Sequence, residues 1–237
     1  METGGYAVLS RQTGLMREIQ IVANNVANAA TTGYREEGLL FSEFVERDPG
    51  NPALSMTRAS TRSTSLEQGG LTKTGGTFDL AIEGDGFFLV ETDRGPRLTR
   101  AGTFVPSAEG ELVTASGQRV LDDGGGPVFV PPGGAAIQIA ADGTISADGQ
   151  PIGRIGVYQP INPNGLVRED GVLFHAEAGT EPIENPKVLQ GFLEDSNVNP
   201  VTQIARMIEV QRAYEMGQKL LESEDERIRA AVKALLR

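Results

Sequence analysis

Residues 196–237 read "SNVNPVTQIARMIEVQRAYEMGQKLLESEDERIRAAVKALLR". After Pro200 the stretch holds no proline and a single glycine, Gly217, so nothing in it breaks a helix outright. Asn199 is a favoured N-cap residue, and Pro200 suits the first helical position, where a missing N–H is harmless. The spacing predicts one helix of about 36 residues, ~54 Å long. It carries two apolar faces. The shorter holds Val201, Ile204, Ala205 and Ile208, and turns polar at Gln211, Arg212, Glu215 and Lys219. The longer is nearly heptad-spaced through Met207, Val210, Tyr214, Gly217, Leu221, Ile228, Val232 and Leu235. Pairs such as Glu215–Lys219 and Asp225–Arg229 stiffen the outside modestly. A helix this long outruns what a chain of 237 residues covers by itself, and two faces call for more than one partner.

The opposite end has the same character. Residues 1–48 lack proline, and Leu9, Met16, Ala23 and Ala30 recur every seven positions, with Ile19 and Val26 three further on. With Val8, Leu15 and Val22 alongside, they form a coiled-coil-like stripe about 25 residues long. Gly14 and the asparagines Asn24, Asn25 and Asn28 weaken it as an isolated helix. Asparagine competes for nearby backbone hydrogen bonds, so three of them in a helical run need a reason.

Between these ends the composition changes. All 13 prolines and 24 of the 30 glycines fall between Pro49 and Pro200, which marks a turn-rich middle. "TFDLAIEGDGFFLVETDRGPRLTRAGTFV" (77–105) runs apolar over short stretches broken by Gly and Pro. Further short strands are expected at 110–113, 118–121, 127–130, 136–140, 144–146, 152–158 and 172–175, with Asp142-Gly143 and Asp148-Gly149 as tight hairpin turns. Such a series, without helix patterns between, predicts an antiparallel roll or sandwich. The chain is therefore read as α+β: an N-terminal helix (1–35), an extended connector rich in Ser, Thr, Arg, Pro and Gly (36–70), an all-β antiparallel domain (71–192) and a C-terminal helix (193–237). The two terminal helices are expected to form a coiled-coil-like helical domain.

Composition narrows function. A net charge of −11 argues against nucleic acid or an anionic membrane as the main partner, since both attract Lys and Arg. No 18-residue apolar run is present, so no membrane-spanning helix is predicted. The opening "METGGYAVLSRQ" lacks a basic region followed by an apolar core, which predicts no cleaved Sec-type leader. With no Cys, neither disulfides nor Cys-ligated metals are available. The only histidine, His175, sits on an expected strand, a place more often taken by a packing or surface residue than by a catalyst. "GDGFFL" (84–89) lacks the third glycine and the following helix of a dinucleotide site. "DGTISADG" (142–149) lacks the alternating acids and closing Glu of a calcium loop. No catalytic, metal-binding or cofactor-binding residues are assigned, and an enzyme is not expected. A soluble β-rich binding module dimerised by its helices is the competing class; five per cent aromatic content with no Trp offers a glycan little to stack on.

Three segments carry a resemblance. "IVANNVANAATTGYR" (21–35) is similar to the N-terminal signature of the flagellar rod and hook family of axial proteins. "LEQGGLTKTGGTFDLAIEGDGFFLV" (66–90) resembles that family's entry into its β domain, and "LEDSNVNPVTQIARMIEVQRAYEMGQKLL" (193–221) its C-terminal signature. They stand at the start, middle and end of the chain in family order. The chain departs from the pattern at "METGG" and in the charged tail "SEDERIRAAVKALLR". The β domain is larger than in the short proximal rod subunits and smaller than in most hook proteins. That narrows the resemblance to two rod proteins, and the opening residues with Asn199-Pro200 favour the one that is not the distal-rod protein.

The resemblance implies a structural rod subunit whose terminal helices form the inner layer of a helical tube, with the β domain outside. It implies export through the flagellar type III apparatus without signal cleavage, and assembly with copies of itself and other rod proteins in the periplasm. Leu9, Met16, Ile19, Val26, Ile204, Ile208, Tyr214 and Leu221 would then face neighbouring subunits. Asn24, Asn25 and Asn28 would be buried between packed helices and fix their register. "TTGY" would end the first helix, with Gly33 left-handed and Tyr34 packing back. Phe41 and Val45, four apart in "FSEFV", resemble the export signal of rod and hook substrates.

Overall fold

The computed structural model of the chain describes residues 2–46, 54–131 and 136–235, with side chains described over 8–40, 62–131 and 136–234. The chain divides into two units: Met1–Ala27, Glu37–Ser65 and Asn199–Arg237 form one, and Asn28–Glu36 with Leu66–Val198 the other.

The first unit holds helix α1 (Glu2–Ala27), helix α2 (Pro200–Leu235) and a hairpin of strands β1 (Glu37–Glu46) and β2 (Leu54–Thr64). The start of α2 is set locally: Asn199 Oδ1 accepts the Val201 and Thr202 N–H groups at 3.0 and 3.2 Å, satisfying donors that a helix otherwise leaves unpaired. The helices run antiparallel, tied by Gln12 to the Tyr214 carbonyl, Glu18 to Arg206 and Asn25 to Gln203. Polar ties, rather than a continuous apolar heptad seam, mark this contact. Leu9 and Met16, expected on the seam, are exposed, while Gln12, Glu18, Ile21, Val22 and Asn25 are buried. Where an extended connector was expected, the chain pairs β1 with β2 from Glu37↔Thr64 to Glu46↔Leu54, with one irregularity at Leu40/Phe41.

The second unit is antiparallel throughout. Its main sheet runs, in spatial order, Leu166–Asp170, Leu173–Ala176, Gly95–Thr99, Phe87–Thr92, Arg119–Val120, Leu112–Thr114 and Phe104–Pro106. Val157–Pro160 adds to it through Phe87 and Phe88 and pairs in turn with Thr180–Pro182. The central strand of the sheet, Phe87–Thr92, is covered on both faces. Successive side chains on a strand point to opposite sides, and here Phe88 and Val90 enter one apolar core with Leu80, Leu112, Val120 and Ile155, while Phe87 and Leu89 enter another with Leu98, Leu121, Tyr158 and Phe174. A three-stranded meander, Ile137–Ile139, Thr144–Ala147 and Gln150–Arg154, contributes Ile139 and Ile145 to the first core. Its second turn has positive φ at both Asp148 (47°) and Gly149 (82°), the geometry that a two-residue hairpin prefers. The single strand expected at 152–158 is two, split at Ile155-Gly156, and 127–130 is held only by isolated bridges to Glu111 and Leu121.

Candidate subunit interface and motif clasp

The predicted interface residues separate into classes. Leu9, Met16, Ile204 and Ile208 are exposed; Ile19, Val26, Tyr214 and Leu221 are half-buried. In α2 only Gln203 and Val210 are buried among the described side chains. Val201, Ile204, Ile208, Met216, Leu220, Ile228 and Val232 remain between 45% and 75% exposed. The side chains of Phe41 and Val45 lie outside the described residues.

The three asparagines do different things. Asn25 is 1% exposed. Its Nδ2 donates to the Glu37 carbonyl at 2.8 Å and to Gln203 Oε1 at 3.2 Å, and its Oδ1 accepts the Glu37 N–H at 3.0 Å. The carboxamide thus pairs with Glu37 as a peptide group would and joins α1, β1 and α2. Asn28 lies past the helix end, half-buried, and its Oδ1 accepts the Thr31 hydroxyl. Asn24 is exposed within this chain, so burial among the chain's own helices holds for Asn25 alone. Asn25→Ala is expected to cost about 2 kcal/mol, because it strands the buried Glu37 amide groups; thermal unfolding of the purified chain checks this.

The helix ends at Ala27, earlier than the "TTGY" expected to stop it. That segment instead joins the second unit. Gly33, at φ +69°, donates its N–H to the Glu194 carbonyl at 2.7 Å. Asn197, from the C-terminal signature, donates its N–H to the Tyr34 carbonyl, accepts the Glu36 N–H on Oδ1 at 2.6 Å and donates Nδ2 to the Glu67 carbonyl at 2.8 Å. Beneath these bonds sits a buried ionic cluster. Glu194 Oε1 meets Arg35 Nη2 at 2.9 Å and the Gly69 N–H at 3.0 Å, and its Oε2 meets Arg100 Nη1 at 3.0 Å. All three ionised side chains are no more than 2% exposed.

Burial pushes the Arg100 guanidinium down to about 10, against the opposing pull of the Glu194 carboxylate, and lowers Arg35 for the same reason. Both remain cationic near neutrality, so Glu194 serves two positive charges. Arg100 Nη1 also donates to the Ile82 carbonyl and Nη2 to the Gly84 carbonyl, while the buried Nε groups of Arg100 and Arg35 meet no acceptor among the described residues. The Arg168 guanidinium lies 4.3 Å from the Tyr34 ring centre and 4.6 Å from that of Phe174, and donates to the Arg35 carbonyl. This clasp closes the N-terminal signature (Gly33, Tyr34, Arg35) on the C-terminal one (Glu194, Asn197) and on 67–69. Sequence reading missed Arg35 and Glu194 as a pair, although both stand inside the quoted signatures.

Among the described residues no group of three or more His, Asp or Glu is placed to hold a metal ion. His175 is half-buried on its strand. No helix among the described residues is long and apolar enough to cross a membrane.

Comparisons with known proteins agree with the division into signatures. Residues 6–35 match the family described as flagella basal body rod protein. Residues 81–147 match the flagellar hook protein FlgE/F/G D1 domain, and 189–234 the flagellar basal body rod FlgEFG protein C-terminal region. The chain is similar to the flagellar basal-body rod protein FlgF of Caulobacter vibrioides, 39% identical over 245 residues and covering 99% of this chain and 98% of the relative. FlgF of Rhizobium meliloti is 34% identical, with 99% and 98% covered, and FlgG of Bacillus subtilis 30%, with 93% and 94% covered. On the three matched signatures and these near-full-length relatives, the chain belongs to the FlgF family of flagellar basal-body rod proteins.

Proposed function

We propose that this structural rod subunit polymerises head-to-tail, with copies of itself and with other rod proteins, into the proximal part of the periplasmic drive shaft of the flagellum. The observation that carries this reading is the set of seven half-uncovered apolar side chains distributed around α2, from Val201 to Val232. Full burial of such a side chain stabilises by about 1.5–3 kcal/mol. Covering what is still exposed therefore offers on the order of 5–10 kcal/mol, shared among neighbouring subunits, enough to drive specific contacts. Heterologous contacts that do not close on themselves give open helical filaments, which is the form a rod takes.

The double variant Ile204→Asp and Ile208→Asp tests it. Both side chains are exposed, so the purified variant is expected to keep its circular dichroism and melting behaviour while failing to enter rods and leaving cells non-motile. Wild-type swimming by cells that carry only this variant would remove the basis of the proposal.

Delivery belongs to the same reading: the chain leaves the cytoplasm through the flagellar type III apparatus without cleavage, with Phe41 and Val45 as its gate signal. Phe41→Ala is expected to cut secretion about tenfold, the effect of losing about 1.4 kcal/mol of recognition. Unchanged amounts of the variant outside the cytoplasm would exclude Phe41 from the signal.

A further inference from the structure

Gly217 is the only glycine in α2, and it stands mid-helix, where glycine is the poorest residue after proline. Its surroundings explain its presence. A Cβ built there would lie 2.2 Å from Gln12 Nε2 and 3.1 Å from the carbon that bears it. Gln12, on α1, is nine-tenths buried, and its Nε2 donates to the Tyr214 carbonyl at 2.9 Å. The absent side chain is therefore the notch through which a glutamine of one helix reaches the backbone of the other. Around it Val8, Leu15, Ala213, Met216 and Leu220 line a largely apolar groove of about 280 Å³.

Apolar contacts between helices are non-directional, so sliding α1 by one turn along α2 would cost them little. Gln12, along with the Glu18–Arg206 and Asn25–Gln203 ties, distinguishes the registers. One turn away in either direction it would face Ala213 or Leu221, both carrying a Cβ where the amide now sits. The carboxamide, whose Oε1 is already buried without an H-bond donor, would then lose the bond of its Nε2 as well, which is unfavourable. A single polar contact of this kind specifies register in packed helices.

We infer that Gln12 and Gly217 form a register key for the helical unit. With the Glu18–Arg206 and Asn25–Gln203 ties they set which residues of α1 lie against which of α2, and so which apolar side chains are turned outward. The inference rests on the assembly reading above: those outward side chains are the ones a neighbouring subunit covers.

The test is a double-mutant cycle of Gln12→Ala and Gly217→Ala in the full chain. Cells carrying Gly217→Ala are expected to swim about tenfold less well, because the new methyl evicts Gln12 and leaves the register loose. Adding Gln12→Ala is expected to recover most of that loss, since two small residues fit the native register. In thermal unfolding of the purified chain, Gly217→Ala should raise the midpoint about 3 °C more in the Gln12→Ala background than in the wild type. If Gly217 were only a weak point in the helix, its replacement would raise the midpoint equally in both backgrounds and leave swimming intact, and the key would be refuted. A failure of the assembly reading looks different: cells carrying the Ile204 and Ile208 variant would swim, whatever the cycle shows.

Discussion

Glu194→Gln is expected to lower the stability of the β unit by about 3–5 kcal/mol, the cost of leaving a buried charge without its partner. The reason is numerical as much as geometric. One carboxylate, 1% exposed, is the counter-charge for both Arg35 and Arg100, and the neutral amide would leave two guanidinium groups in a site from which water is excluded. Removing the carboxylate also removes the attraction that opposes burial at Arg100 and Arg35, so the desolvation that already lowers both guanidinium groups is left unbalanced. For a chain of this length the loss corresponds to a melting point lower by about 10 °C. Differential scanning calorimetry or circular dichroism reads it directly. A decrease of under 1 kcal/mol would mean that the two arginines find compensation elsewhere, and that the clasp is not organised on Glu194.

The second large effect is expected at Gly33. An alanine there takes on two costs at once. Its φ of +69° lies in the left-handed region that side chains disfavour by about 1–2 kcal/mol. Its Cβ would also lie 2.3 Å from the Ala101 nitrogen and 2.4 Å from the Arg100 carbonyl carbon. These are backbone atoms that cannot swing away, and forced overpacking adds about 1–3 kcal/mol. The sum, about 2–5 kcal/mol, falls on the segment that Glu194 and Asn197 hold. Gly75 provides the control. It has φ +78° but nothing within 4 Å of a new Cβ, so Gly75→Ala should show the conformational cost alone, about 1–2 kcal/mol. Equal destabilisation by the two variants would show that the collision with Arg100 and Ala101 is relieved at no cost.

What the sequence disclosed is what is decided locally. The Asn199 cap, the Pro200 start of α2 and the turn at Asp148-Gly149 each depend on a few adjacent residues, and each is found where the sequence puts it. The apolar stripes of the helices were equally visible. Periodicity, however, cannot say whether a face is covered by the chain's own elements: Leu9 and Met16 share a stripe with Val26, yet they are exposed where Val26 is half-buried. The hairpin of β1 and β2 was hidden by composition. β2, "LSMTRASTRST", alternates small, hydroxylated and basic residues, a pattern that serves a polar ribbon and a linker alike.

The clasp was illegible for a different reason. Arg35 and Glu194 acquire meaning only as a pair, and they come from opposite ends of the chain. The asparagines lie between these cases. Their oddness was visible, but the pairing of Asn25 with the Glu37 backbone needed the position of β1, which the sequence had not disclosed.

In the proposed assembly the helical ends of this chain are completed by neighbouring subunits, whereas the β unit folds on its own core. A long helix with one covered stripe has little stability of its own in water. Limited proteolysis of the purified chain in dilute solution, with fragments identified by mass spectrometry, tests this most directly. Early cleavage is expected within roughly the first 40 and last 40 residues, beginning in the exposed half of α2 beyond Leu220, leaving a resistant fragment from about residue 66 to residue 198. Protection of the terminal helices equal to that of the β unit, in a chain shown to be monomeric, would contradict it.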